Sequence, residues 1–325
     1  MAGPEAKVEL KSTVSKDGTQ IAYYEIGQGP GLIILHGAMQ SGLSHSELAS
    51  LLSQSYTCYL PDRRGRGKSG PSGRNYGLVK EVEDIEAIHT ATNAKFVFGV
   101  SSGAVIALKA ALIAPSSQIE RVAVFEPPWW PDYLVEESTS WVGRYEEELS
   151  RGEIAEALTT AMLGVKMGPP LFQSKYFPRP ILVLLSKLLM KADKAANTKK
   201  SKSSSCKQHA YDYPTFEELA PTLRNDIQVT SEMFGEQNFD TLADIDKEVF
   251  IMGASRSPDY LKNAVRVLKK ILPHSTWVEL QGYDHGVTGN RSYHGDPEVV
   301  ARELQRFFAQ PQEVQTSPQH RHDTT

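Results

Sequence analysis

The pentapeptide Gly99-Val100-Ser101-Ser102-Gly103 has the spacing G-x-S-x-G. In that pattern a serine hydroxyl is presented at a very sharp turn, and glycines two before and two after remove side chains that would collide there. The serine takes a strained backbone conformation that lifts its oxygen above the edge of a sheet. A helix starting at the serine aims its first N–H groups at the same place, where they favour developing negative charge. These are the components of nucleophilic attack on a carbonyl. Gly67-Lys68-Ser69 ends like a phosphate-binding loop, but that motif needs a glycine five residues before Gly67, and Asp62 stands there. Nucleotide hydrolysis is therefore not supported.

The serine turn requires a buried strand before it and a helix after it. Phe96-Val97-Phe98 and the almost wholly apolar run 104–113 have those properties. Residues 8–15 and 20–27 alternate polar and apolar around the turn signal Lys16-Asp17-Gly18, which predicts a hairpin. Short apolar runs at 32–35, 56–60 and 121–125 read as buried strands, with helical spacing at 46–54 and 78–91 between them. After Phe125 the alternation stops, and 127–242 offers aromatics, prolines and helical stretches but no clear strand. It resumes with strands at 249–252 and 276–280 and helices at 260–272 and 297–309. The order predicts an α/β chain with a mostly parallel sheet (residues 1–126 and 243–310), interrupted by an inserted helical lid at 127–242. The polar tail 311–325 is expected to be unordered.

Composition narrows the function classes. The 325 residues are 40% hydrophobic and 23% charged with a net charge of −4, ordinary for a globular chain and unlike a basic nucleic-acid binder. Two cysteines, Cys58 and Cys206, form neither a disulfide framework nor a thiolate zinc site alone. The first ten residues lack an apolar signal core, and the longest apolar stretch, 181–190, is too short to span a bilayer. A cytoplasmic protein without stable membrane insertion is expected, and its oligomeric state stays open. Residues 187–209 hold seven lysines and one acid, Asp193, leaving −10 for the rest of the chain. That stretch reads as a flexible, solvated Lys/Ser-rich loop rather than an anionic-surface patch.

Three further motifs produce a resemblance. His36-Gly37 after a strand, Asp62-Arg63-Arg64-Gly65-Arg66-Gly67-Lys68-Ser69 after the next, and Gly282-Tyr283-Asp284-His285-Gly286 after the last resemble loops of the α/β-hydrolase fold. The resemblance covers roughly 10–126 and 245–310. It implies Ser101 as nucleophile, His285 as base, and the backbone N–H groups of Ser102 and Ala38 as oxyanion donors. His36 then belongs to the oxyanion loop, His89 to a helix, and His294 is a nearby rival of His285. The acid has two candidates. Asp259 lies near the loop after the seventh strand, where Ser257 fills the slot expected to hold Asp. Glu126 directly follows the sixth strand in Phe125-Glu126-Pro127-Pro128, a placement that resembles fungal zearalenone lactonases. Glu126 is favoured over Asp259.

The resemblance implies a serine hydrolase of a carboxylic ester, lactone or thioester, without metal or organic cofactor and acting on a small molecule. Trp129, Trp130 and Tyr133 at the lid entry are expected to line an apolar pocket, making the substrate fairly hydrophobic. Other chemistry on the same residues is a lyase, C–C hydrolase or acyltransferase, and a non-catalytic small-molecule binder is a further alternative. Epoxide hydrolases and dehalogenases resemble branches with Asp, not Ser101, at the nucleophile position.

Overall fold

The computed structural model describes residues 7–115, 117–129, 132–165, 172, 177–203, 213–234, 238–272 and 274–309. Its strands are β1 (Val8–Val14), β2 (Gln20–Gly27), β3 (Gly31–Leu35), β4 (Thr57–Pro61), β5 (Phe96–Val100), β6 (Arg121–Phe125), β7 (Glu248–Ala254) and β8 (Thr276–Leu280). The helices are α1 (Ser46–Leu52), α2 (Leu78–Thr92), α3 (Ser102–Ile113), α4 (Asp132–Ser150), α5 (Ile154–Gly164), α6 (Arg179–Ser203), α7 (Phe216–Leu219), α8 (Leu223–Phe234), α9 (Asp259–Ile271) and α10 (Pro297–Phe308). One sheet has the order β1-β2-β4-β3-β5-β6-β7-β8. β2 pairs antiparallel with β1 and with β4, and every later pair is parallel.

The central strands are apolar at nearly every position because both faces of the sheet are covered. Successive side chains still point to opposite faces. Ile33, Leu35, Val97, Val122, Val124 and Ile251 pack in one core cluster with α2, α3, α8 and α9. Leu32, Ile34, Phe98, Ala123, Phe125 and Met252 pack in the other with α1 and α10. Each of the larger side chains among these, fully removed from water, contributes about 1.5–3 kcal/mol. α3 is apolar all round because it is enclosed between the sheet and α2 and α8, which also explains why it shows no polar face.

The chain between β6 and β7 is helical among its described residues. α4, α5 and α6 pack around the buried Glu148, whose carboxylate accepts from Thr160 Oγ1 at 2.6 Å, from Arg144 Nε at 2.9 Å and from Arg179. Two expectations change. The inserted segment expected at 127–242 includes α8, yet Val229, Met233, Phe234 and Leu242 belong to the core cluster around α3, so α8 packs with the sheet core. The described part of the Lys/Ser-rich stretch, 187–203, is helix rather than loop. Lysine, alanine and leucine are good helix formers, and Lys187–Glu156 at 2.8 Å and Lys194–Glu217 at 3.4 Å tie this helix to its neighbours. Residues 204–209 and the tail 311–325 lie outside the described residues. Among the described residues, no helix is long and apolar enough to cross a membrane.

Candidate active site

The C-terminal ends of β3, β5, β6 and β8 bring the candidate residues together. Ser101 follows β5 with φ 55° and ψ −122°, a strained conformation for a non-glycine residue. Its N–H donates to Phe125 O at 2.9 Å, which pins the turn to the end of β6. Both flanking glycines are sterically required. A Cβ on Gly99 would lie 2.3 Å from Gly103 O, and one on Gly103 would lie 2.5 Å from Leu35 O and 2.7 Å from His36 O. Ser102 begins α3, so its N–H is among the first-turn donors that no intrahelical carbonyl can take.

The loop after β3 lies against this turn, since a Cβ on Gly37 would come within 2.9 Å of Ser101 Cβ. Gly37 N–H donates to Gln40 Oε1 at 2.8 Å, which braces this loop. His36 is fully buried and holds the loop instead of acting at its mouth. Its Nδ1–H donates to Gly37 O at 2.9 Å, and its Nε2 accepts from Arg63 N–H at 3.2 Å. Burial, with Arg66 and Arg63 nearby, holds its pKa well below the usual histidine range, so the ring is neutral.

Glu126 sits one residue past β6 at φ 45° with no exposed surface. Its Oε1 accepts from Ala254 N–H at 2.7 Å, and its Oε2 accepts from Ser257 Oγ at 2.8 Å. His285 Nδ1 lies 2.7 Å from the same Oε2, with the imidazole only 11% exposed and tilted over Phe125. Asp259 is placed differently: its carboxylate is 89% exposed and pairs with Lys262 at 2.9 Å. Ser257, in the slot expected for an acid, is the residue that donates to Glu126. His294 is exposed, in a left-handed turn after the loop. Trp129 packs on Phe234 of α8, ring centroids 6.5 Å apart, which makes it part of the packing between lid entry and core. Trp130 and the side chain of Tyr133 lie outside the described residues. Cys58 is buried in the core, where desolvation pushes its thiol up to about 12 and leaves it unreactive.

Sequence reasoning missed the buried ion cluster beneath the serine turn. Asp226 of α8 accepts from Ser102 Oγ at 2.7 Å, from Arg63 Nη1 at 2.8 Å and from Arg66 Nη2 at 2.6 Å. Arg63 also forks onto Glu81, through Nε at 3.1 Å and Nη2 at 2.8 Å, and Tyr76 Oη donates to the same carboxylate at 2.6 Å. Burial alone would raise the pKa of Asp226, but Arg66 and Arg63 beside it hold it below the usual carboxylate range. The two arginines come from the Asp62–Ser69 turn, and Asp62 caps that turn by accepting from Gly42 N–H at 2.9 Å and Lys68 N–H at 2.8 Å. Three arginines in one tight turn, Arg63, Arg64 and Arg66, signal that buried acids must meet them. Nothing in one dimension identifies Asp226 as one of them, because an acid in the first turn of a helix is commonplace.

Comparison with known proteins identifies the fold and the family. The alpha/beta hydrolase family profile matches residues 32–303. A structure of an alpha/beta hydrolase from Sphaerobacter thermophilus superposes with a TM-score of 0.67 at 27% identity, covering 92% of this chain and 100% of that one. An esterase from Exiguobacterium antarcticum superposes with a TM-score of 0.62 at 17% identity, covering 92% and 99%, which speaks to the fold alone. A cis-3-alkyl-4-alkyloxetan-2-one decarboxylase of Shewanella oneidensis is 31% identical over 85 residues, 25% of this chain and 27% of that protein. The chain thus spans only about a quarter of that curated relative's length. The profile match extends over most of the chain, and the chain belongs to the alpha/beta hydrolase family.

Proposed function

We propose that this enzyme is a serine hydrolase that cleaves a carboxylic ester, lactone or thioester of a fairly hydrophobic small molecule through Ser101, His285 and Glu126. The observation that carries this reading is the fully buried Glu126 carboxylate 2.7 Å from His285 Nδ1, on the sheet end that holds the strained Ser101 turn. A carboxylate there accepts the Nδ1 proton and leaves Nε2 as the free base. His285 then removes the Ser101 proton as Oγ attacks the carbonyl carbon. The oxyanion faces the N–H groups of Ser102 and Ala38, a contribution typically of about 10²–10³ in rate per donor. Collapse expels the alcohol or thiol with the proton from His285, and water activated by the same base releases the acid. The scheme needs no metal or organic cofactor. Support for a hydrophobic substrate comes from the sequence alone, from Trp130 and Tyr133 after Glu126, since Trp129 is taken up in packing on Phe234.

The decarboxylase among the relatives favours one second reading, a lyase acting on a lactone with the same residues, since the fold does not decide the reaction. The test is labelling by a fluorophosphonate probe of the wild type, Ser101→Ala and His285→Ala, followed by product analysis on 4-nitrophenyl butyrate and on a lactone. Labelling that depends on Ser101 and release of a carboxylic acid are expected. Folded wild-type protein that shows no Ser101-dependent labelling overturns the serine-hydrolase reading, and carbon dioxide in place of the acid selects the lyase.

A further inference from the structure

Asp226 contacts Ser102 directly and reaches the loop after β3 through Arg66. Its Oδ1 accepts from Ser102 Oγ at 2.7 Å, on the residue that follows the nucleophile. Its Oδ2 accepts from Arg66 Nη2 at 2.6 Å, and Arg66 Nη1 donates at 3.0 Å to Gly37 O, on the loop after β3. Gly37 O and Ala38 N–H belong to one planar trans peptide and point opposite ways. Arg66 and His36 Nδ1 both donate to Gly37 O and hold that carbonyl, so the Ala38 N–H is fixed on the opposite side of the same peptide plane. Ser102 is tied at its side chain, whose Oγ donates to Asp226 and accepts from Arg63 Nη1 at 3.0 Å.

We infer that Asp226 is a positioning residue that fixes the two oxyanion donors, Ser102 N–H and Ala38 N–H, relative to each other. The inference rests on the serine-hydrolase reading above. Two arginines and two carboxylates, Arg63, Arg66, Glu81 and Asp226, balance in charge, and the side chains of all four are nearly inaccessible to solvent. A neutral, dry cluster of this kind resists rearrangement, since moving one member strands another's charge. Asp226 also lies on α8, the helix by which the chain returns from the lid to the core. The geometry of the donors therefore depends on how that return segment packs on α3, and lid sequence can influence catalytic rate without touching the substrate.

The experiment compares Asp226→Asn, Ser102→Ala and their combination with wild type on 4-nitrophenyl butyrate, with active sites counted by fluorophosphonate titration. An interaction realised mainly in the transition state lowers kcat and kcat/KM together. Asp226→Asn is expected to lower kcat per titrated site by about 10–100-fold with KM within about 3-fold, a part of what a whole donor supplies. In the Ser102→Ala background the same substitution is expected to cost less, because one shared path is already cut. Asp84→Asn serves as the stability control. It breaks the buried Arg64–Asp84 pair (2.6 Å), which touches neither Ser102 nor Gly37, and should lower Tm with kcat per site unchanged. If Asp226→Asn does not fold, Arg66→Lys reads the other arm, and a kcat drop near tenfold is expected from the lost fork. Folded Asp226→Asn or Arg66→Lys with wild-type kcat per site, a change in KM alone, or fully multiplicative effects of Asp226→Asn and Ser102→Ala overturn the inference. In those cases the wild type still labels and the serine-hydrolase reading stands, whereas absence of wild-type labelling removes both.

Discussion

Replacing Glu126 by Gln tests the hydrogen-bond arithmetic of the site directly. Three donors converge on this carboxylate, Ala254 N–H, Ser257 Oγ–H and His285 Nδ1–H, at 2.7, 2.8 and 2.7 Å. A glutamine keeps the shape but offers one oxygen and an NH2 group. With the oxygen toward His285, the NH2 opposes the Ala254 N–H, and a buried donor left without an acceptor costs about 1–3 kcal/mol. With the oxygen toward Ala254, the NH2 faces Ser257, whose hydroxyl can turn to accept, and His285, whose Nδ1 must lose its proton to accept. The second arrangement leaves fewer donors unpaired and is the one expected. It puts the imidazole proton on Nε2, where the ring can no longer take a proton from Ser101. In a serine protease the acid-to-amide change costs about 10⁴ in kcat, which is about 5.5 kcal/mol of barrier. A loss of roughly 10³–10⁴ is expected for Glu126→Gln on 4-nitrophenyl butyrate, with KM nearly unchanged. Asp259→Asn changes an exposed side chain paired with Lys262 and is expected to stay within about twofold. Steady-state kinetics on folded variants decide the matter. A Glu126→Gln enzyme that keeps more than about a tenth of wild-type kcat, or an Asp259→Asn loss as large as that of Glu126→Gln, would refute the reasoning.

Two further predictions concern stability. Alanine exceeds glycine in helix propensity by about 1 kcal/mol, yet Gly103→Ala is expected to destabilise. Its methyl would sit 2.5 Å from Leu35 O and 2.7 Å from His36 O, both backbone atoms, and overpacking of that kind costs about 1–3 kcal/mol or more. A higher urea midpoint for the variant would show that the close approach of α3 to the loop after β3 is absent. His45 is buried with Nδ1 bonded to Thr288 O at 2.9 Å, and burial holds its pKa down to about 4 against an unfolded value near 6.5. The unfolded chain therefore binds this proton first, so His45 supports the native state above pH 6.5 and that support drains away as the pH falls toward 4. Between pH 7.5 and 5.0 the loss amounts to about 2 kcal/mol. Urea unfolding at the two pH values should show a drop smaller by that amount in His45→Asn, and equal drops in both proteins would contradict the assignment.

The βα order, the hairpin at the start, and the Gly99–Gly103 turn were legible because their physics is local. Period-two and helical spacing, turn residues, and a glycine clash with the next turn all act within a few positions. The lid boundary was not legible, since Val229, Met233 and Phe234 look the same on a lid helix as on a helix packed against α3. The part of α6 from 187 onward reads as loop in the sequence because a run of lysines resembles a solvated segment until Glu156 and Glu217 arrive from other helices to pair with it. In the site, the sequence by itself determined that a serine stands in a strained turn between a buried strand and a buried helix, and that His285 ends a strand loop. It left the acid between Glu126 and Asp259. Tertiary structure alone brought the Glu126 carboxylate, rather than that of Asp259, to His285, 159 residues away along the chain, and added Ser257 as its donor. It also joined Asp226 to Ser102 across 124 residues of chain. A buried charge must be met by partners, but which residues meet it depends on how strands and helices pack, and no spacing along the chain encodes that.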